Sequence, residues 1–404
     1  MYRTVKTAFR ASKKTLDMLF KTNEICGQIW NDCVELSRYY YRLKGKNITK
    51  TELQKELKKK YPVHSQTIQA VSHKYIDACE STYELRKKGY HKARFPYKKK
   101  NHFNAKWVDK AFSLEGNRLT LSYGNNKDKN GKKIMLSVKL AKVPNGTVKE
   151  VELVYDRGLK FCLSYDDGEV EKENNHTNVV ANDVGEIHTI AAVSENGESI
   201  IITGRHMRSI HRLRNKKLRE LQKRMSRCQK GSKQWRKYNR AKQYMLSKSE
   251  AQLEDALHKT TKAFVEWCVK QQTKKIITGN IDGVQRNTKK KRNKKTNQKL
   301  SNWAFGKLYQ MLEYKANAEG IQFEKVDESY TSQTCPVCGH RKKVRTRNYT
   351  CRCGYRKHRD IHGACNILTK HTLGRFVEHK SEEPTYLRPV VLQRSSRRLE
   401  PTLL

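Results

Sequence analysis

The sequence predicts a multidomain α/β protein, in which a small β-domain carrying a helical insertion precedes a domain of alternating strands and helices. The chain has 404 residues, more than one ordinary domain contains. Apolar residues recur at helical spacing over 20–90 and alternate with polar residues over 90–170, as in half-buried strands. From residue 178 onward, apolar strands alternate with helical segments, which is typical of an α/β sheet.

The N-terminal part is predicted to be a β-domain with helices inserted near its start. Ile25, Ile29 and Val34 share one helical face, whereas residues 119–123 alternate as a strand does. Glycine- and asparagine-rich turns separate the strand-like segments. We expect these strands to form a small antiparallel β-barrel. Its assigned ranges are 1–18 plus 90–172, and the helical insertion is assigned to 19–89.

The C-terminal part is predicted to be an α/β domain. A strand at 178–183 leads to a hairpin, a long basic helical region over 205–247 and a more apolar helix over 250–272. A buried strand near 275–280, a helix over 300–319 and a strand at 322–326 follow. The assigned ranges are 175–330 plus 356–372 for this domain, 331–355 for a cysteine-rich insertion and 373–404 for a tail, expected to be disordered.

The charge of the chain indicates the class of its partner. Lysine and arginine number 86 against 40 acidic residues, a net charge of +46, which favours a polyanion over a small-molecule substrate. The basic residues are spread along most of the chain, which suits a long nucleic acid better than a membrane surface. No apolar run approaches the roughly 20 residues that span a bilayer. The first residues lack the apolar core of a secretory signal. The cysteines outside the C-terminal cluster are scattered within apolar segments, as small buried residues are, which predicts a reducing, cytoplasmic compartment.

Two cysteine pairs predict a zinc ribbon within 331–355. Cys335 and Cys338 form a CxxC knuckle, and Cys351 and Cys353 form a CxC pair twelve residues later. Four thiolates from two tight turns bind zinc tetrahedrally, and closed sites of this kind are structural. Gly339 fits the backbone turn after the first knuckle. A redox CxxC motif is the alternative.

A further cysteine lies close by in sequence. Cys365, together with His358 and His362, offers another possible zinc ligand. The structural alternative is that Cys365 is a small buried residue on the helix that contains Gly363-Ala364.

Two aspartates are candidate magnesium ligands. Asp183 ends an apolar strand, and Asp360 opens a segment with helical character. Carboxylates brought together in space can hold two divalent metals about 4 Å apart for in-line attack on a phosphodiester. Magnesium prefers such oxygen ligands. Taken singly, an aspartate beside a glycine is more often a turn or a helix cap.

The order of these blocks resembles the TnpB (OrfB) family. The resemblance is carried by Asp183-Val-Gly, by NQKLSNWAFGKLYQMLEYKA, by VDESYTSQTCPVCGHR and by HRD-x-x-GAxNIL, and it is densest over 275–369. It implies a transposon-encoded, RNA-guided DNA endonuclease, similar to compact type V CRISPR effectors. It also implies a RuvC-like (RNase H-fold) nuclease domain interrupted by the zinc ribbon, a wedge-like barrel and a recognition insertion. The implied partners and cofactors are a guide RNA, target double-stranded DNA, magnesium for cleavage and zinc.

The resemblance further implies one acid from each of three sequence blocks. Asp183 matches the first block and Asp360 the third. The middle block departs from the family, because Asn280 stands where an acid is expected. Asp282, two residues further along an extended chain, shares its face and is the tentative third acid. The alternatives are a nuclease-dead RNA-guided DNA-binding protein and a guide-independent zinc-ribbon protein that binds nucleic acid.

Basic and aromatic side chains mark two candidate nucleic-acid surfaces. Cations suit phosphates and aromatic rings suit unstacked bases; a solvated loop and a solvated helix face are the structural alternatives. Glu220 is the sole acid between 205 and 249, which disfavours a face of intrahelical ion pairs. The candidates are Arg94, Phe95, Tyr97 and Lys98 in the loop, and Arg208, Arg212, Lys216 and Arg219 in the helical region.

Overall fold

A computed structural model describes residues 1–108, 110–128, 130–156, 158–281, 293–344 and 346–389. The chain divides into two compact units, Met1–Glu169 and Val170–Leu404. The division falls close to residues 172–175, where one predicted domain ends and the next begins. Among the described residues, every helix is too short or too polar to cross a membrane.

The helices of the first unit form the predicted insertion. They are α1 Lys13–Lys44, α2 Lys50–Leu57 and α3 Ser65–Lys87. The Ser12 side chain accepts a hydrogen bond from the Thr15 amide at the start of α1, and Thr49 and Glu52 form a reciprocal capping box at the start of α2. The insertion therefore begins at Lys13 rather than at residue 19, because the cap lies before the apolar periodicity starts.

The strands of the first unit form two antiparallel sheets over one apolar core. They are β1 Tyr2–Thr7, β2 Phe9–Arg10, β3 Ala105–Val108, β4 Phe112–Glu115, β5 Arg118–Lys127, β6 Lys133–Leu140, β7 Thr147–Tyr155 and β8 Leu159–Asp166. The sheet orders are β1-β8-β7-β3 and β2-β6-β5-β4. Trp107, Leu121 and Phe161 are buried between them. The antiparallel β-domain is thus present as two four-stranded sheets, and a closed barrel stays a prediction.

A mixed sheet organises the second unit. The strands of this unit are β9 Asn178–Asp183, β10 His188–Ser194, β11 Ser199–Thr203, β12 Thr273–Gly279, β13 Gln322–Val326, β14 Asn348–Thr350, β15 Arg356–His358 and β16 Thr385–Leu387. Of these, β14 and β15 form the separate cysteine-rich hairpin, and the other six form the mixed sheet. The sheet order is β13-β12-β9-β10-β11-β16. The strands β9, β10 and β11 pair antiparallel, whereas β12 runs parallel to both β9 and β13. The carboxyl ends of β9, β12 and β13 therefore meet at one edge.

Helices cover both faces of this sheet. They are α4 Arg205–Met225, α5 Lys233–Lys270, α6 Lys294–Asn302, α7 Phe305–Ala318 and α8 Arg359–Leu373. Phe264 of α5 and Leu312 of α7 lie in the core on one face. Ile361 and Ile367 of α8 pack on the other. The layers are helix, sheet and helix.

Two predictions for the second unit are wrong. The helix break expected near 248–249 lies at residues 226–232, because Gly231 adopts a φ of 88° and the Ser232 side chain caps α5. The segment expected to be a disordered tail contains β16, which pairs in parallel with β11. Three residues of strand are too few for a visible apolar pattern, so the pairing was not predictable. Residues 390–404 lie outside the described residues.

Candidate metal centres and nucleic-acid interface

Acidic residues meet at the carboxyl edge of the mixed sheet. Asp183 is the last residue of β9. The β12 strand ends at Gly279, which pairs with Val326, the last residue of β13, and Glu328 lies two residues beyond. In open α/β sheets, ligands bind outside the carboxyl ends of the strands.

The helix α8 brings Asp360 to the same edge. Gly363 of α8 packs directly against Asp183: a β-carbon built on Gly363 would lie 2.6 Å from Asp183 Oδ2. Asp360 precedes Gly363 by about one helical turn, at the start of the same helix. The two aspartates predicted as magnesium ligands are therefore neighbours, although 177 residues separate them in sequence.

Glu328 is a third carboxylate in this cluster, and sequence reasoning missed it. A β-carbon built on Gly279 would overlap the Glu328 carboxylate. The glutamate side chain thus occupies the volume that a side chain at the end of β12 would fill. One local signal was present in the sequence, a glutamate just after an apolar strand, but it gains meaning only once β13 is known to lie beside β12.

The electrostatics of Asp183 reflect this crowding. Burial, followed by the negative charges of Glu328 and Asp360, raises the pKa of Asp183 to about 8. Burial, followed by the charge of Asp327, raises the pKa of Glu328 as well. A divalent cation among the three carboxylates would relieve their repulsion, and carboxylate oxygens are the ligands that magnesium prefers.

Asp360 is surrounded by hydrogen-bond donors and cations. Burial alone would raise its pKa, but the hydrogen bond with His188 and the charge of Arg359 lower it overall. The His188 Nδ1 lies 2.7 Å from Asp360 Oδ2, and guanidinium nitrogens of Arg347 and Arg359 lie 3.6 and 3.5 Å from its oxygens. His188, His358 and Asp360 also have ligand atoms within 4.8 Å of one another. The two guanidinium groups keep the Asp360 carboxylate ionised and fixed in position. Their positive charges disfavour a metal ion bound between Asp360 and the two histidines.

Of the two middle-block residues, Asn280 and Asp282, the structure describes Asn280. The Asn280 amide donates a hydrogen bond to the Val326 carbonyl, at 2.7 Å, which ties the end of β12 to β13. Asp282, the tentative third acid, lies outside the described residues.

The four predicted zinc ligands converge. Their sulfurs lie within 4.8 Å of one another, with 3.6 Å between Cys335 and Cys353 and 3.5 Å between Cys338 and Cys351. Zinc–sulfur bonds of about 2.3 Å in a tetrahedron place the sulfurs roughly 3.8 Å apart. The thiols therefore fit a tetrahedral zinc ion.

The alternative ligand Cys365 is not part of this cluster. It is buried among Ala191, Ile201 and Ile361 in the core under α8. Its sulfur lies 3.6 Å from the Lys357 ammonium nitrogen. The structural interpretation of Cys365 as a small buried residue is the one the fold supports.

The predicted cations of α4 line one groove. Arg208, Arg212, Lys216 and Arg219 all border a groove of about 1190 Å³ between α4, α5 and the α6–α7 segment. Acidic residues partly neutralise it: Arg208 lies 3.4 Å from Glu186. The spacing of the four cations along one helical face suits repeated contacts with a phosphate backbone.

The side chains of the basic loop in the first unit differ in whether they fit a nucleic-acid surface or a structural role. Phe95 is half-buried, with the Arg86 guanidinium 4.7 Å from its ring centroid, which fits the structural alternative. Tyr97 keeps 46% of its surface exposed, and Arg94 and Lys98 are also exposed. These three side chains are available to a ligand.

Two family models match parts of the chain. The model described as "Probable transposase" (OrfB_IS605) matches residues 160–285. The model described as "Cas12f1-like, TNB domain" matches residues 305–367. Together they cover most of the mixed sheet and the cysteine cluster.

Several curated proteins are similar in sequence. The TnpB-like protein MJ0751 of Methanocaldococcus jannaschii is 27% identical over 174 residues, which is 42% of this chain and 60% of that protein. The putative RNA-guided DNA endonuclease InsQ of Escherichia coli is 32% identical over 165 residues, 38% of this chain and 40% of that protein. These matches span less than two thirds of each relative.

One solved structure shares the fold. The chain superposes on a Cas12f1 from a cryo-EM complex with single-guide RNA and target DNA at a TM-score of 0.63 and 15% identity, covering 88% of this chain and 83% of the other. The chain therefore shares the mixed α/β fold of that protein. The matched family models and relatives are more specific. Over these regions the chain is similar to TnpB-family proteins.

Proposed function

We propose that this chain is an RNA-guided DNA endonuclease encoded by a transposon, which cuts guide-matched double-stranded DNA by magnesium-dependent hydrolysis. The observation that carries the proposal is the meeting of Asp183, Glu328 and Asp360 at one sheet edge. The RuvC-like (RNase H-fold) domain would comprise 175–330 plus 356–372, and the mixed sheet order supports that assignment. The InsQ and Cas12f relatives are named as endonucleases that act on DNA, which supports the same chemistry here.

The three carboxylates would hold the magnesium ions. Bound magnesium activates a water molecule and stabilises the leaving oxygen in phosphodiester hydrolysis. Asp183 and Glu328 would form one side of the site, and Asp360 the other. His188 fixes the orientation of Asp360 through its Nδ1, and Arg347 and Arg359 place positive charge beside it, where an anionic phosphodiester would bind.

Glu328 is the third acid in this proposal. Asp282 remains the alternative, because the family pattern places an acid in that block. The variants Glu328→Ala and Asp282→Ala distinguish the two: the catalytic acid is the one whose removal abolishes cleavage while DNA binding persists.

The remaining features support the partners. The groove of α4 and the exposed Arg94, Tyr97 and Lys98 would bind guide RNA or the DNA paired with it. The barrel-like first domain would act as a wedge and its helical insertion as a recognition element. Zinc would fix the ribbon. The seven cysteines outside the ribbon form no disulfide, which is consistent with action in a reducing cytoplasm.

The test is to express the chain with its native locus, purify it and sequence the bound RNA. Guide-matched duplex is then incubated with the complex and magnesium, with Asp183→Ala as control. We expect a defined RNA and cleavage that the variant lacks. Bound RNA without cleavage would favour the nuclease-dead alternative, and the absence of bound RNA would favour the guide-independent zinc-ribbon protein.

A further inference from the structure

The helix α8 holds the chain on both sides of Glu328. Lys370 donates hydrogen bonds to Asp327 Oδ2 at 2.7 Å, to the Asp327 carbonyl at 3.2 Å and to the Ser329 carbonyl at 3.3 Å. These are the two residues adjacent to Glu328. An ammonium group has three donors, and all three are directed at this segment.

Asn366 holds the same segment further along. Its Nδ2 donates to the Thr331 carbonyl at 2.7 Å and to the Thr334 carbonyl at 2.8 Å. The side chain is fully buried. The Nδ2 also lies 3.3 Å from His362 Nε2 of the same helix. A carboxamide nitrogen has two N–H donors, and its two shorter contacts are both with this segment. Asn366 and Lys370 are four residues apart and therefore share one face of α8.

The segment between these contacts has an unfavourable backbone. Tyr330 has a φ of +66°, a left-handed conformation that non-glycine residues rarely adopt. Thr331 donates its amide and its hydroxyl to the Glu328 carbonyl, at 3.2 and 2.9 Å. A strained turn of this kind persists when surrounding contacts determine it, and here those contacts come from α8.

The same helix also faces the zinc ribbon. Thr334 directly precedes the zinc ligand Cys335. The ring of His362 stacks on Tyr349 with 3.9 Å between centroids, and Tyr349 is buried with Cys335 and Cys351. One helix therefore contacts the ribbon, the Glu328 segment and Asp183, and it carries Asp360.

We propose that Asn366 and Lys370 are positioning residues, which set Glu328 against Asp183 by holding residues 327–334 on the helix that carries Asp360. Through Thr334 and Cys335, the same contacts couple the zinc ribbon to the magnesium centre. The inference rests on the proposed function, because Glu328 matters in this way as a metal ligand. The inference goes beyond that function because the position of Glu328 relative to Asp183 would depend on two side chains, Asn366 and Lys370, that bind neither metal nor DNA.

The test uses the full chain with its guide RNA and compares Asn366→Leu, Lys370→Met and Lys370→Arg with wild type. Leucine has the same number and branching of side-chain heavy atoms as asparagine and lacks its donors. Thr372→Ala is the matched control, because the Thr372 hydroxyl donates within α8, to the Leu368 carbonyl, and the residue is exposed. Four properties are measured: Mn²⁺ affinity by electron paramagnetic resonance, the Mg²⁺ concentration for half-maximal cleavage, zinc content and target-DNA binding.

We expect Asn366→Leu and Lys370→Met to weaken Mn²⁺ binding and to raise the Mg²⁺ requirement about tenfold or more, since a misplacement of about 1 Å can cost roughly 100-fold in rate. Zinc content and DNA binding should match wild type. Lys370→Arg should recover part of the loss, and Thr372→Ala should behave as wild type.

Unchanged Mn²⁺ affinity and Mg²⁺ requirement in both donor-removing variants would overturn the proposal. If Asn366→Leu fails to fold, judged by zinc content and melting, Lys370→Met decides, because Lys370 is only partly buried. A wild-type complex that binds Mn²⁺ but does not cleave would refute the proposed nuclease function while leaving the positioning effect measurable. A wild-type complex that binds no Mn²⁺ would overturn both.

Discussion

The exchange of one carboxylate between two strands tests the acidic site most directly. Glu328→Ala removes the carboxylate that fills the space beside Gly279. In the double variant Gly279→Asp with Glu328→Ala, the new carboxylate oxygens lie roughly 2.4 Å from their Cβ. The Glu328 Cδ lies 3.2 Å from that Cβ position, so the new oxygens reach the volume that the glutamate leaves.

We expect Glu328→Ala to lower the cleavage rate by about 100-fold or more. A displacement of a positioned group by about 1 Å can already lower a rate by about 100-fold, and this variant removes the group entirely. The double variant should recover part of the rate. Gly279→Asp alone should be impaired, since its side chain overlaps the Glu328 carboxylate. The assay is single-turnover cleavage of guide-matched duplex in magnesium, with DNA affinity and zinc content as controls.

One result would refute this reasoning. If Glu328→Ala cleaves at the wild-type rate and Asp282→Ala does not, the third acid belongs to the middle block and the glutamate beside Gly279 is structural. If the double variant cleaves no faster than Glu328→Ala, a carboxylate in the same volume is not sufficient. The carboxylate must then enter the site from the chain that follows β13.

Three further predictions concern zinc, the groove and protonation. Cys338→Ser should reduce zinc to less than one ion per chain, measured by atomic emission, and should lower cleavage; full activity without zinc would show that the ribbon does not support the site. Arg212→Ala and Arg219→Ala should each reduce the slope of log affinity against log salt by about 0.9 for duplex contacts or 0.7 for single strands; an unchanged slope would remove these residues from the interface. Without divalent cations, the raised pKa of Asp183 means that its protonated form stabilises the fold at low pH. This contribution is lost as pH rises from about 4 to about 8. Asp183→Asn should therefore raise the melting temperature at pH 8 in chelator, and an equal melting temperature would contradict the pKa shift.

The sequence predicted the parts of the site that local patterns specify. A knuckle places two cysteines in one turn, so Cys335 and Cys338 were identifiable from spacing. Asp183 was identifiable because it ends an apolar strand and matches the first block of the resemblance to the TnpB family; by itself, an aspartate beside a glycine is more often a turn or a cap. These features need no knowledge of which strands are neighbours.

The parts that the sequence did not predict depend on nonlocal pairing. Glu328 joins the site because β13 lies beside β12, and that pairing brings together residues 49 positions apart, Gly279 and Glu328. A one-sequence pattern does not encode this neighbourhood. The same holds for β16, whose pairing with β11 joins segments about 185 residues apart.

The short strand β16 has a consequence for handling the protein. It covers Ile200, Ile201 and Ile202 of β11, a run that is fully buried and strongly apolar. An uncovered sheet border of this composition offers unpaired amides and carbonyls to other molecules and promotes aggregation. A chain truncated at about residue 375 would therefore lose solubility, even though every acidic and thiol ligand is retained.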